Sequence, residues 1–200
     1  MVARSFWRRG LVSCVMAAGL LGLASCLPVQ LGDPDKSKVD PAFNGVWEWR
    51  DGSKIELAVF QRYDDRTYVV DVLSGEAGEG DAVKPAQRDI YKGWLTSVKG
   101  ETFLTLAPME SVGALPGATP PKYLVAKVKI EGDALTAFGI DPEYKKLKDV
   151  GTPTALAQMI SENMDDVKLF LKPIMATKWD ADQILRLEKI REGFREWKKP

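Results

Sequence analysis

Residues 45–60 read GVWEWRDGSKIELAVF, and this stretch decides the fold. Apolar and polar side chains alternate along it. Trp47 and Trp49 stand against Glu48 and Arg50; then Ile55, Leu57 and Val59 stand against Lys54, Glu56 and Ala58. A period of two is the mark of a strand with one buried face. Asp51-Gly52 between the two runs is a hairpin signal, because tight hairpin turns need positive φ and Gly adopts it without steric cost. Two antiparallel strands in close succession are expected here.

The pattern continues outward from that hairpin. Asp64-Asp65 breaks the run, after which Tyr68, Val70 and Val72 share one face, with Thr67, Val69 and Asp71 on the other. Residues 74–87, SGEAGEGDAVKPAQ, read as a loop. Residues 90–98 and 102–106 read as paired strands around Lys99-Gly100, with Leu104 and Leu106 flanked by threonines. A second loop from Pro108 to Pro121 contains four prolines and two glycines. Leu124, Ala126, Val128 and Ile130 alternate with Lys127 and Lys129, and Glu131-Gly132-Asp133 turns into residues 134–140. About seven short strands joined by tight turns predict antiparallel pairing of neighbours in sequence. The expected fold is α+β, mainly antiparallel β. Residues 44–140 form an up-and-down meander, a curved sheet or a small barrel, and residues 141–200 form C-terminal helices packed on it. Trp47, Ile55, Leu57, Tyr68, Val70, Leu104 and Leu106 are expected to face inward.

The C-terminal part carries helix signals. Asp141-Pro142 starts a short helical turn reaching Lys148. Thr152 is an N-cap with Pro153 in the first helical position, and Leu156, Met159, Ile160 and Met164 share one helical face. Pro173 stops the next segment, and residues 174–179 read as a last strand. Asp180 and Gln183 resemble a capping box ahead of the apolar stripe Ile184, Leu187, Ile190, Phe194 and Trp197. That stripe has two readings: core docked on the sheet, or a surface for a partner protein.

The N-terminus reads MVARSFWRRGLVSCVMAAGLLGLASC. Arg4, Arg8 and Arg9 precede an uncharged run from Gly10 to Ser25. A membrane-spanning helix needs about 20 apolar residues, so the run is short for a span; a basic start, a short apolar run and small residues before a cut site describe an export signal. Leu23-Ala24-Ser25-Cys26 resembles the lipobox of bacterial lipoproteins, with cleavage between Ser25 and Cys26 and diacylglycerol attached to the thiol of Cys26. Arg8-Arg9 also resembles a twin-arginine core, and the export route stays open between that and the general one. By the same resemblance, Leu27 after the cysteine implies the periplasmic face of the outer membrane, or the cell surface in an organism with one membrane. Residues 27–43, with three prolines, read as a flexible tether.

Composition narrows the chemistry. The 200-residue chain has 28 basic and 28 acidic side chains; removal of residues 1–25 takes three arginines and no acid, leaving a net charge of −3. Near-neutral, interspersed charge gives no electrostatic case for nucleic acid. Cys14 leaves with the signal and Cys26 takes the lipid, so no disulfide is expected. With no histidine in the chain, Ser-His-Asp, Cys-His and His-based zinc chemistry are excluded. No catalytic residue, metal or cofactor is singled out. Adjacent acids on a strand point to opposite faces, so Asp64-Asp65 is read as a turn, and Asp165-Asp166 as a helix boundary.

Gly45-Val46-Trp47 is similar to the G-x-W that opens lipocalin-like (calycin) barrels. That resemblance implies a Trp packed across the closed end, Lys178 in the place of the family's final-strand arginine, and a cavity for a small apolar ligand. Read residue by residue, Trp47 and Trp49 serve equally as core and rim aromatics of a sheet. The expected function is a membrane-anchored, non-enzymatic envelope protein binding a small apolar ligand or lipid in a pocket near Trp47, Tyr68 and Leu104. The alternatives are an envelope protein-interaction module and, third, a carboxylate-dependent hydrolase drawing on acids such as Glu48.

Overall fold

The computed structural model describes residues 26–78, 83–109 and 123–184, with Leu187, Ile190 and Arg191 beyond them. The expected signal at residues 1–25, most of the 108–121 loop, and Phe194 and Trp197 of the last stripe lie outside the described residues.

The alternating stretches fold as strands: β1 Cys26–Leu27, β2 Gly45–Asp51, β3 Lys54–Arg62, β4 Thr67–Ala77, β5 Val83–Val98, β6 Glu101–Pro108, β7 Tyr123–Glu131, β8 Ala134–Gly139 and β9 Ile174–Lys178. Two helices are described, α1 Pro153–Glu162 and α2 Ala181–Ile184. From β2 to β9 each strand pairs antiparallel with the next, and β9 returns to pair with β2. The result is mostly antiparallel β: a closed eight-stranded barrel with few helices. Closure removes the unpaired edges that an open sheet would expose.

The turns follow the residues. Gly52 and Gly132 have φ of +59° in the β2–β3 and β7–β8 turns. At the β5–β6 turn Lys99 (+51°) and Gly100 (+82°) are both left-handed, as a tight hairpin requires. Asp64 accepts from the N–H of Arg66 and Thr67 at 2.8 and 2.7 Å and closes the β3–β4 turn. The stretch 74–87 was expected as one loop, but β4 runs on to Ala77 and β5 begins at Val83. Gly75 and Pro85 pair at a β-bulge instead, where the register shifts between Ser74 and Gly75. A Cβ at Gly75 would lie 2.4 Å from the Lys84 carbonyl oxygen, so only glycine lets the two strands meet there.

Both faces of the barrel wall are buried. Inside pack Trp47, Ala58, Phe60, Tyr68, Val70, Val72 and their neighbours. Outside, β2, β3 and β4 present Val46, Ile55, Leu57, Val59 and Leu73 to Trp179, Leu187 and Ile190. Ile55 and Leu57 therefore face outward, against expectation. In the β2–β3 register Trp47 pairs with Ala58 and Trp49 with Glu56, so the even residues of β3 share the interior with the two tryptophans. The C-terminal residues shield Ile55 and Leu57 from water. Asp180 and Gln183 form the expected capping box, each accepting from the other's backbone N–H at 2.8 and 2.9 Å. On the same outer wall Asp71 accepts from both Arg88 (2.9 and 3.0 Å) and Arg191 (3.4 Å). The Asp71 hydrogen bond holds the Arg88 guanidinium above its ordinary pKa.

The expected tether is instead part of the fold. β1 pairs with β7, Leu27 and Leu31 are buried, and Phe43 enters the barrel core. The Leu31 carbonyl accepts from Trp94 Nε1 at 2.8 Å, from Thr105 Oγ1 at 3.1 Å and from Thr96 Oγ1 at 3.3 Å. The Ser37 hydroxyl donates to the Leu95 carbonyl at 2.8 Å. Two of the three prolines that suggested a spacer lie in short 3-10 turns, Pro34–Lys36 and Pro41–Phe43, capped by Asp33 and Asp40. This strap and α1, capped by Thr152 at 3.2 Å, cover Phe103, Val125 and Ile140 on the opposite outer wall.

Candidate functional site in the barrel interior

Strand direction gives the barrel two ends. The turns after β3, β5 and β7 lie at the lower end, with the strap segment that leads into β2. The upper end carries the β2–β3 turn, the β4–β5 and β6–β7 connections and the long segment from β8 to β9.

The lower end is plugged by aromatic side chains. Phe43, Phe60 and Tyr68 stack mutually with ring centroids 5.9–6.0 Å apart. Trp47 has no exposed surface, and its Nε1 donates to the Phe43 carbonyl at 2.8 Å. Lys178 lies opposite Trp47 in the β2–β9 register, with Nζ 5.3 Å above the ring and donating to the Ala42 carbonyl at 3.1 Å. A cation thus covers Trp47 from the final strand. Tyr68 Oη donates to the Asp40 carbonyl at 3.0 Å and accepts from the Asp40 N–H at 2.5 Å, which ties the strap to the plug.

Burial pushes the Tyr68 phenol up to about 12 from its ordinary 10; the Asp40 N–H pulls it partly back. The folded-state pKa lies above the unfolded one, so the stabilising contribution is whole below pH 10 and is lost as pH rises toward 12. In an alkaline unfolding series, Tyr68→Phe is expected to remove that part of the pH dependence. Absorbance of tyrosinate should show a titration near 12 in the wild type that Tyr68→Phe lacks.

Trp47, Tyr68 and Leu104 do come together, in one interior cluster. Trp47 and Tyr68 have no exposed surface, so they are the floor of the interior and not the lining of an open pocket. Leu104 stands on β6 between Leu95 on β5 and Ala126 on β7.

Above that floor β3, β4 and β5 bring polar side chains into the interior, while Leu106, Leu124 and Ile174 keep it apolar on β6, β7 and β9. Glu56 on β3 pairs with Ser74 on β4, and Ser74 with Gln87 on β5, two residues from Asp89 on the same face. Strand alternation points these four side chains inward with Trp49, Val72 and Tyr91. Glu56 is 3% exposed and Ser74 9%. Gln87 Nε2 donates to Asp89 Oδ2 at 2.6 Å. Ser74 Oγ is buried and has no hydrogen-bond partner among the described residues. A buried hydroxyl without a partner costs about 1–3 kcal/mol, so such groups ordinarily sit where something completes them. Sequence reading missed this belt, because it placed Glu56 on the solvent face of β3. The signal that could have found it is the two-residue turn at Gly52-Ser53, which pairs Asp51 with Lys54 and so sets odd residues of β2 against even residues of β3.

The other acids considered serve the scaffold. Glu48 points outward and accepts from Trp179 Nε1 at 3.0 Å. Backbone N–H donors hold Asp64 and Asp166 below the usual carboxylate range. Asp166 caps a 3-10 turn and accepts from Tyr144 Oη at 2.9 Å. No cluster of three metal-ligating side chains occurs among the described residues, and no described helix is long and apolar enough to cross a membrane. The chain matches no family model, no curated protein and no solved structure.

Proposed function

We propose that this chain is the precursor of a bacterial envelope lipoprotein, cleaved before Cys26 and held by lipid on that cysteine at the periplasmic face of the outer membrane. On this reading its barrel is of the lipocalin-like kind and acts without catalysis, holding one small ligand with an apolar body and a polar group. The observation that carries the ligand reading is the division of the interior. An apolar floor of Phe43, Trp47 and Tyr68 lies below a belt that includes the buried, unpartnered Ser74 hydroxyl. Eight-stranded barrels are of a size that either fills with side chains or holds one small ligand. Lys178 over Trp47 supports the lipocalin-like reading.

The chemistry of the belt narrows the ligand class. Asp89 accepts from Gln87 and the Ser74 hydroxyl has no partner among the described residues, and a carboxylate on a ligand could only accept. A ligand bearing a hydroxyl, amide or ammonium group suits Ser74 and Asp89 better than a fatty acid does. The interaction-module alternative has less support: Leu187 and Ile190 of the C-terminal stripe pack on the barrel wall, which is the core reading of that stripe. Native mass spectrometry of the protein extracted gently from membranes tests the proposal. One added mass per chain is expected, released on unfolding; a spectrum of bare protein from every mild extraction counts against it.

A further inference from the structure

We infer that the lipid-bearing residue is built into the barrel wall, so the protein has no spacer and its upper end rests on the bilayer. This rests on the anchor reading of Cys26. The backbone of Cys26 pairs with Leu124, and Leu27 with Tyr123, at the start of β7. Leu124 also pairs with Leu106 on its other side. β8 leaves β7 after Gly139 and Ala126, with one further bond from Ile140 N–H to the Val125 carbonyl at 3.0 Å. β1 takes the flank of β7 that β8 vacates. Strand spacing then places the Cys26 backbone about 5 Å from β7.

No slack follows the cysteine. Leu27 is 3% exposed and packs with Leu31, Phe103, Val125 and Leu156. Leu31 is fully buried and fixed by three hydrogen bonds to its carbonyl. The backbone that would carry the acyl chains is therefore fixed at the rim, at the end where β7 begins and β6 ends. The rim beside β1 suits a headgroup layer. Leu27, Pro28 and Val29 meet Pro142, Leu147, Lys148 and Val150 around a recess of about 100 Å³, with Pro28, Pro142 and Lys148 exposed. The proposed occupant of this face is the bilayer that holds the anchor.

The test uses the full chain, exported and processed, then reconstituted in phosphatidylcholine–phosphatidylglycerol vesicles containing lipids with a nitroxide near the headgroup. The mature chain has no cysteine besides Cys26, so Lys148→Cys and Glu101→Cys each add one site for a fluorophore. Both residues are exposed, Lys148 near β1 and Glu101 in the β5–β6 turn at the lower end. The β6 strand separates the two ends by about 20 Å once tilt is allowed for. The label at 148 is expected to be quenched about threefold or more strongly than the label at 101, because a headgroup nitroxide quenches only at close range and the lower end stands that far from it. Equal or reversed quenching, in protein shown by mass to be acylated and floating with vesicles, overturns the orientation and leaves the anchor standing. Protein with no acyl mass that fails to float overturns both. A Gly/Ser insert of about ten residues between Cys26 and Leu27 should erase the difference by supplying a flexible tether. Persistence of the difference with that insert overturns the claim that the anchor sets the orientation.

Discussion

Trp94→Ala is expected to destabilise the domain by about 4 kcal/mol, within the range for truncating a large buried aromatic side chain. Trp94 is 2% exposed and lies outside the barrel, under the strap. Its ring meets Tyr123 edge-on at 6.3 Å, and its Nε1 donates to the Leu31 carbonyl. The variant loses the ring packing and one of three donors to that carbonyl; Thr96 and Thr105 keep the oxygen from being orphaned. Packing is therefore the larger share. Trp94→Phe, which keeps most of the ring but not the donor, should cost about 1 kcal/mol more than packing alone predicts. Urea unfolding of a domain beginning at Leu27 measures both. Limited proteolysis should find new cleavage in residues 28–40 of Trp94→Ala. A loss below about 1 kcal/mol, typical of a surface change, would mean that the strap is not part of the cooperative fold.

Cys26→Ala is expected to leave a protein without acyl mass that is either soluble or retained as the unprocessed precursor. Each buried methylene contributes about 0.8 kcal/mol, and stable anchoring takes two hydrocarbon chains where one gives only marginal binding. Removing the attachment point removes them together. Fractionation and intact mass are the measurements, with the wild type carrying the acyl mass and the variant not. If the variant is still processed and fractionates with membranes as the wild type does, the anchor reading is wrong.

The strands were the most legible part of the molecule. Alternation around Trp47, Tyr68, Leu104 and Val128, with turns at Gly52, Gly100 and Gly132, marked seven of the barrel strands, and Pro173 marked the start of the last. Face assignment was harder, because the C-terminal residues cover the outer wall. Ile55, Leu57 and Val59 look like a core face, and they are buried, but outside the ring. Once both faces of a strand are buried, hydrophobicity no longer says which is the interior. Hairpin register does: Gly52-Ser53 puts Trp47 across from Ala58, and hence Glu56 inside.

The strap was misread for a related reason. Proline content between Leu27 and Phe43 suggested a tether, yet Leu27, Leu31 and Phe43 are spaced to dock at separate points. Docking was not visible locally, since the partners Trp94, Thr105 and Tyr68 lie far along the chain. Trp47, Tyr68 and Leu104 read as a pocket lining; they meet in one interior cluster, with Trp47 and Tyr68 closed off as its floor. The belt of Glu56, Ser74, Gln87 and Asp89 was not legible, because its members come from three strands and only the register unites them.

The central claim is that the barrel interior takes a ligand above its aromatic floor. Titration of the folded domain with fluorescent single-chain amphiphiles that differ only in the head tests it most directly. Saturable one-to-one binding of the hydroxyl- or amine-headed probe is predicted, with micromolar affinity, about −8 kcal/mol. The carboxylate-headed probe should bind more weakly. Ser74→Ala, which removes the buried hydroxyl with little change in shape, should weaken the favoured probe about tenfold, as expected for one hydrogen bond to a charged or strongly polar group, while leaving the unfolding midpoint unchanged or higher. No saturable signal with any head, on a domain shown to be folded, would contradict the claim and leave the barrel as a scaffold.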